Sequence, residues 1–470
     1  CNLTAAIGFG VFALTRSAIL NQFGVVAGIN IMLLFFISFI LIPVVLSYLP
    51  PPRQKHTRYL ENKWLAAVLR KLEIWTLHHQ KAIYGVTVIM LILAVAGMFR
   101  LKSEGFIVDD LPQKDPIYKD LKFFEHNFKG VMPLEIVVDT KRKNGLRINM
   151  LQTLDSVDRL SKYITSKPEM ARPLSLVEGL KFIRQSYYGG DSAQYDIPNS
   201  LDLAFLSSYL KGGGDSSARA GDSSAKKANS LDQLLKSFVD KDRQRLRISV
   251  NMADVGSRRL PHILDDLERK THELFDTSRY HVELTGTSVT YLEGSSFIIK
   301  GLRDSIQWAF VLIAVCMLLL FRSVKILLCS LIPNVIPLII TAGIMGWAGV
   351  RLKPSTVIIF SIALGIAIDI TIRFLVNYKQ ESRGPDGNKP NPQQTVIDTI
   401  NKTGISILYT SLVLIAGFII FCFSDFGGIF ALGWLTSLTL VIATVTNLVF
   451  LPALLMTLTK GRRATGPKAS

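Results

Sequence analysis

Cysteine and histidine are scarce in this chain, four and seven among 470 residues. Cys1, Cys316, Cys329 and Cys422 all fall in or beside apolar runs. The long polar stretch therefore has neither a disulfide framework nor a zinc spacing. Cys1 in first place invites comparison with an acylated lipoprotein terminus, but no initiator Met or signal peptide precedes it and the chain opens inside an apolar run. The expectation is a fragment cut within a span. Enzyme signatures are missing too: there is no nucleophile elbow, no HExxH and no phosphate loop. The Gly-Gly-Gly-Asp-Ser-Ser stretch at 212–217 has no strand leading into it. No catalytic residue, cofactor or metal is expected.

What the chain has in quantity is apolar sequence. It is 49% hydrophobic, with a mean hydropathy of +0.33, values of a membrane protein with room for a separate water-facing domain. The net charge of +17 sits largely in short segments beside apolar runs, where Lys and Arg set orientation and meet anionic lipid. Membrane lipid is the expected partner, and nucleic acid is not.

Apolar runs at about 3–14, 24–48, 82–99, 305–321, 326–349, 355–376, 404–423 and 429–458 suggest about eight spans by the length rule. Basic residues cluster at 51–81, at Arg322 and Lys325, at Lys379 and Arg383, and at Lys460, Arg462 and Arg463. An alternating path puts all of these on the cytoplasmic side and 101–302 outside. The expected order is 1–50 as two spans, 51–81 as a cytoplasmic amphipathic linker helix, and 82–100 as a span. Then come an extracytoplasmic domain at 101–302, a five-span bundle at 303–459, and a basic cytoplasmic tail at 460–470.

In the linker, Leu60, Trp64, Leu65, Val68, Leu69, Leu72 and Trp75 recur at helical spacing. That pattern fits a helix lying in the membrane interface, or one packed on the base of the bundle. The outside stretch alternates strand and helix: strands at 135–139, 245–251 and 280–284, and amphipathic helices at 149–165 and 258–276. Two β-α-β units predict an α+β layer resembling a ferredoxin-like split βαβ. Residues 212–230, rich in Gly, Ser and Asp, predict a flexible loop.

The two ends of the chain match. Gly8-Phe9, Phe12, Gly24 and Pro43 repeat as Gly417-Phe418, Phe421, Gly433 and Pro452 at one offset (417 − 8 = 409), without a gap. Matched Gly and Pro mark places where helices pack closely or end, so they predict two structural repeats. The chain then holds the tail of the first repeat and all of the second, and a missing N-terminal part of the same protein becomes an expected partner.

The run 354–376 holds one carboxylate, Asp369. An acid within a span is expensive and is a functional hypothesis by default. Gly365, Asp369 and Arg373 fall four apart and share a helix face. Gly365 leaves room for a neighbouring helix one turn from the acid. Burial disfavours the charged form of a carboxyl, which lets such a group load and unload a proton. The opposing expectation is a structural ion pair with Arg373, in which the acid stays ionised. Thr371 points elsewhere and reads as packing. Thr410 and Ser411, in the next span, are hydroxyl partners for a relay, or are bonded to their own backbone. Pro333, Asn334 and Pro337 lie in the preceding span, where two prolines kink a helix and free carbonyls that Asn334 is placed to satisfy. Residues 342–349 form a small-residue face for helix contact.

Together, Leu-Ile-Pro-Asn-Val-Ile-Pro-Leu at 331–338, Lys-Pro-Ser-Thr at 353–356, Ala-Leu-Gly-Ile-Ala-Ile-Asp at 363–369 and the tail from Arg373 to Lys379 resemble the resistance–nodulation–division (RND) superfamily. The branch they look like is that of the MMPL-like permeases, related to sterol-sensing-domain proteins. The resemblance implies an RND-type α-helical bundle of two six-span pseudo-repeats, each with a large extracytoplasmic porter domain. It also implies proton-driven export of a lipid-like or hydrophobic substrate from the inner membrane. Many relatives carry a second acid and a His where this chain has Ile370 and Arg373, so the relay role carries over to Asp369 alone. A lipid-binding or sensing protein of the sterol-sensing kind and an accessory to protein translocation are the alternatives. A homo-oligomer is left open.

Overall fold

The computed structural model describes residues 2–15, 17–50, 63–106, 110–199, 202, 236–382 and 391–463. The loop expected at 212–230, the linker's first part at 51–62, Arg383 and residues 464–470 of the tail lie outside the described residues. The chain divides into two compact units, Cys1–Gly105 with Ser296–Ser470, and Phe106–Ser295. The polar unit is shorter than the 101–302 read from hydropathy. The reason is a 35-residue helix, Thr287–Phe321, whose apolar part begins well after its first turn.

The apolar unit opens with α1 (Asn2–Gly10), a 3₁₀ turn (Val11–Leu14), α2 (Ala18–Tyr48), α3 (Lys63–His78) and α4 (Gln80–Met98). The polar unit contains α5 (Pro116–Asn127), β1 (Met132–Asp139), α6 (Met150–Thr165), α7 (Leu176–Tyr187), β2 (Arg245–Met252), α8 (Gly256–Leu274) and β3 (His281–Thr285). The apolar unit resumes through α9 (Thr287–Phe321), α10 (Val324–Trp347), α11 (Pro354–Glu381) and α12 (Pro392–Ile419). A second 3₁₀ turn (Ile420–Phe423), α13 (Gly427–Val445), a π-turn (Thr446–Phe450) and α14 (Leu451–Arg463) follow. Among the described residues, seven helical stretches are long and apolar enough to cross a membrane, and Ala5–Leu14 is a shorter apolar one. The eighth expected span is thus present only as a ten-residue stretch.

In the polar unit β1 is central, with β2 and β3 antiparallel on either side. The flanking strands are parallel to each other and joined by α8, one split β-α-β unit. The second expected unit is incomplete. After α6 the described residues meet β2 only in isolated bridges, at Met170, Leu174 and Val239, and Pro173 between the first two has no N–H to extend that ladder. Alternate residues of β1 and β2, among them Leu134, Ile136, Ile248 and Val250, face Leu154, Val157, Leu160 and Ile164 of α6 in one core. The open face of the sheet is charged, with Arg247 gripping Glu135 through two bonds of 2.7 and 2.6 Å.

The linker helix α3 packs on the bundle. Leu69 is buried in the same core cluster as α11 and α12, seated where Gly404 has no side chain, while Ile74 and Trp75 stay exposed. The 409-residue offset recurs in the element boundaries: the 3₁₀ turns start at Val11 and Ile420 (420 − 11 = 409), and the helices after them at Ala18 and Gly427 (427 − 18 = 409). Thr15 N–H bonds Phe12 O at 3.0 Å, and Ser424 N–H bonds Phe421 O at 3.1 Å. A Cβ on Gly24 would stand 2.7 Å from Phe12 Cβ, and one on Gly433 2.9 Å from Phe421 Cβ. Each hairpin is closed by the same glycine against the same phenylalanine.

Candidate functional site

Helix α11 is set by its first residues. Pro354 takes the first helical position, where its missing N–H costs nothing, and Thr356 Oγ1 accepts from the Lys353 N–H at 2.9 Å. Most of its apolar run is buried inside the protein, whereas that of α2 is not. The helices α1, α10, α12 and α13 all pack on it.

Gly365 is buried in α11, and α1 comes up against it at Gly8. One turn on, Asp369 Oδ2 pairs with Arg373 Nη2 at 2.7 Å. The side chains retain 18% and 35% exposure within the protein. Arg373 also donates from Nη1 to Thr410 Oγ1 at 3.2 Å, and Thr410 donates to Ser406 O at 2.8 Å. The pair thereby ties α11 to α12. Asp369 Oδ1 is sealed inside and has no hydrogen-bond partner among the described residues. Ser411 Oγ is likewise buried and unpartnered there, so Ser411 is not drawn into the pair while Thr410 is.

The prolines of α10 leave its helical run unbroken from Val324 to Trp347. Asn334 does supply a side-chain donor, but to Ser330 O at 2.7 Å. That is not one of the carbonyls the prolines free, which are those of Cys329 and Pro333 by the i to i−4 rule. The small-residue face of α10 has a definite partner in α4: Gly343 lies against Ala94, Gly346 against Gly97, and Trp347 Nε1 donates to Leu93 O at 3.0 Å.

Thr371 is no packing residue. Its Oγ1 lies 2.8 Å from Asn334 Oδ1 and 2.5 Å from Asn447 Oδ1, and all three side chains are fully buried. Asn447 sits in the π-turn ahead of Pro452, where one extra residue per turn re-aims a side chain. Asn447 escaped notice in the sequence. The signal was there: a lone amide in an apolar run, five residues before a proline.

Residues 109–469 match the MMPL family. The chain belongs to the MMPL family. A membrane protein of Methanocaldococcus jannaschii is 22% identical to this chain over 404 residues, which covers 83% of this chain and 94% of that one. Among solved structures, the hedgehog release protein Disp from the water bear Hypsibius dujardini matches with a TM-score of 0.59 at 13% identity. That match covers 99% of this chain and 58% of Disp. The likeness shows that the chain shares the fold of Disp, and the MMPL chain spans little more than half the length of that neighbour.

Proposed function

We propose that this MMPL chain is the membrane core of a proton-motive-force-driven exporter that moves a lipid-like or hydrophobic substrate out of the inner membrane. Asp369 carries the proton. The supporting observation is the ion pair on α11. It is one acid and one base in the apolar run of α11, packed among apolar helices, and Asp369 Oδ1 has no donor among the described residues. Taking a proton neutralises Asp369 and frees Arg373, which keeps its bond to Thr410. The tie from α11 to α12 through Thr410 is therefore kept while the pair within α11 opens.

In this reading residues 106–295 are the extracytoplasmic porter domain, which the distribution of basic loops supports. Its split β-α-β arrangement supports a ferredoxin-like layer lacking one full strand. Export agrees with the role in the name of Disp, which releases its cargo. Protons and membrane lipids are the partners in this reading.

The closed 2.7 Å pair also favours a second reading, in which Asp369 stays ionised and the chain binds or senses lipid without net transport. Asp369→Asn in the complete protein, reconstituted in vesicles, separates the two. Proton flux falls at least about 100-fold if the acid is the carrier. Flux that persists rejects the exporter mechanism and leaves the sensing one.

A further inference from the structure

Resting on that reading, we propose that Thr371 is a positioning residue for the Asp369–Arg373 pair. Its hydroxyl is a two-way latch that bonds Asn334 of α10 in one state and Asn447 of the π-turn in the other.

A hydroxyl has one proton, and three acceptors lie within bonding distance of it: the amide oxygens of Asn334 and Asn447 at 2.8 and 2.5 Å, and, farthest, Ala367 O of its own helix at 3.3 Å. Neither amide can turn over to supply the missing donor. Asn334 Nδ2 already donates to Ser330 O at 2.7 Å, and Asn447 Nδ2 to Ala443 O at 3.0 Å. Reversal would set an oxygen against a carbonyl oxygen in each case. At least one of the two buried amide oxygens is therefore always short of that proton, a condition that costs about 1–3 kcal/mol wherever it falls. Two competing arrangements of the latch result.

The latch is placed where both partners yield most easily. Asn334 follows Pro333 and precedes Pro337 in α10, which lacks two backbone donors. Asn447 lies in a π-turn, whose hydrogen bonding is already irregular. Thr371 stands between Asp369 and Arg373 in the sequence of α11. A roll of α11 as the pair opens brings its hydroxyl nearer one amide and takes it from the other.

The pair is also the titrating group within reach. Of the elements packed on α11, α1, α13 and the π-turn have no ionisable side chain. Helix α10 has Lys325 and Cys329, and α12 has Asp398, Lys402 and Tyr409. Lys402 is held by Glu381 at 2.8 Å and Asp398 accepts from Gln394 at 3.0 Å. On α11 itself Lys379 donates to Leu320 O, and Tyr378 lies farther along.

The test uses the complete protein in phosphatidylethanolamine–phosphatidylglycerol vesicles loaded with a pH dye, and reads proton flux against pH. Asn334→Ala leaves only the Asn447 state, and Asn447→Ala only the Asn334 state. The latch predicts that the midpoint of the pH profile moves in opposite directions in the two variants, by about one unit each for a tenfold bias. A purely structural clasp predicts the same lowered amplitude in both with the midpoint unmoved, and that result overturns the proposal. Thr371→Val and Thr371→Ser give a second reading if an alanine variant is not recovered folded. Serine restores the wild-type profile and valine does not; identical profiles overturn the latch. Asp369→Asn, run alongside, keeps the two ideas apart: surviving flux there rejects the proton carrier, whereas lost flux with unmoved Asn midpoints rejects the latch alone.

Discussion

Gly8 and Gly365 meet backbone to backbone: a Cβ built on Gly8 would stand 2.9 Å from Gly365 Cα, whereas one built on Gly365 would stand 3.5 Å from Gly8 Cα. The contact is asymmetric, and substitution should show it. Gly8→Ala forces α1 away from α11 and lowers stability by about 1–3 kcal/mol, the range for overpacking. Gly365→Ala fits at ordinary contact distance and gains helix propensity of roughly 0.5–1 kcal/mol. Thermal unfolding of the purified protein in detergent compares them; equal losses would contradict the packing described.

The repeated hairpins make a paired prediction. Gly24→Ala and Gly433→Ala each press a methyl into a phenylalanine, so both should lower stability by a similar amount, about 1–3 kcal/mol. Gly417→Ala is the control, because nothing lies within 4 Å of its added carbon. The same unfolding measurement serves, and a harmless Gly433→Ala would deny the second hairpin its shape.

Exchanging the charges separates holding from carrying. Asp369→Arg with Arg373→Asp keeps one acid and one base four residues apart, so the chain should fold and reach the membrane. The acid then sits a turn away from its sealed position, and proton flux should fall at least about tenfold. Full flux in the exchanged protein would mean that the acid's position is immaterial.

The polar unit has its own buried charge cluster and a pH window that follows from it. Asp158 is buried and paired with Lys181 and with Lys162, and Lys181 reaches Glu178 at 3.4 Å. Burial pushes the Asp158 carboxyl up, but the hydrogen bonds from Lys162 and Lys181 outweigh it and hold the group below the usual carboxylate range. Its contribution is present above the ordinary value of about 3.9 and is lost as pH falls through the lower folded value. Burial, and then the bond to Glu178, pushes the Tyr195 hydroxyl up to about 12. That contribution holds below about pH 10 and fades as pH rises through the folded value. Hydrogen exchange of α6 and α7 in the complete protein should stay slow from about pH 5 to pH 10, once corrected for intrinsic rates, and quicken on both sides. Lys181→Met leaves Asp158 with Lys162 alone and should cost up to about 3 kcal/mol; no loss would show the buried pair to be idle.

The spans, the strand positions and the acid could be read in the sequence because each depends on local pattern: apolar length, alternation, or one charge where none belongs. The repeat was legible for a related reason, since Gly24 and Gly433 mark close approaches that few residues permit. Thr371 and Asn447 could not be weighed in the same way. Their meaning depends on which helices become neighbours, and they lie 76 residues apart in the chain. The edge of the polar unit was hidden because α9 crosses it as one helix. Its charge cluster was hidden because Asp158 and Lys181 look like any solvated pair until α6 and α7 are packed together.

A guanidinium keeps its proton at any physiological pH, so in the proposed cycle Arg373 is the fixed member of its pair. Within the proposed cycle the heart of the bundle alternates between zero and one positive charge and is never negative. A stranded cation feels the transmembrane voltage directly, by about 2.3 kcal/mol for each 100 mV it traverses. The electrical part of the gradient, and not acidity alone, then has something in this helix to push against.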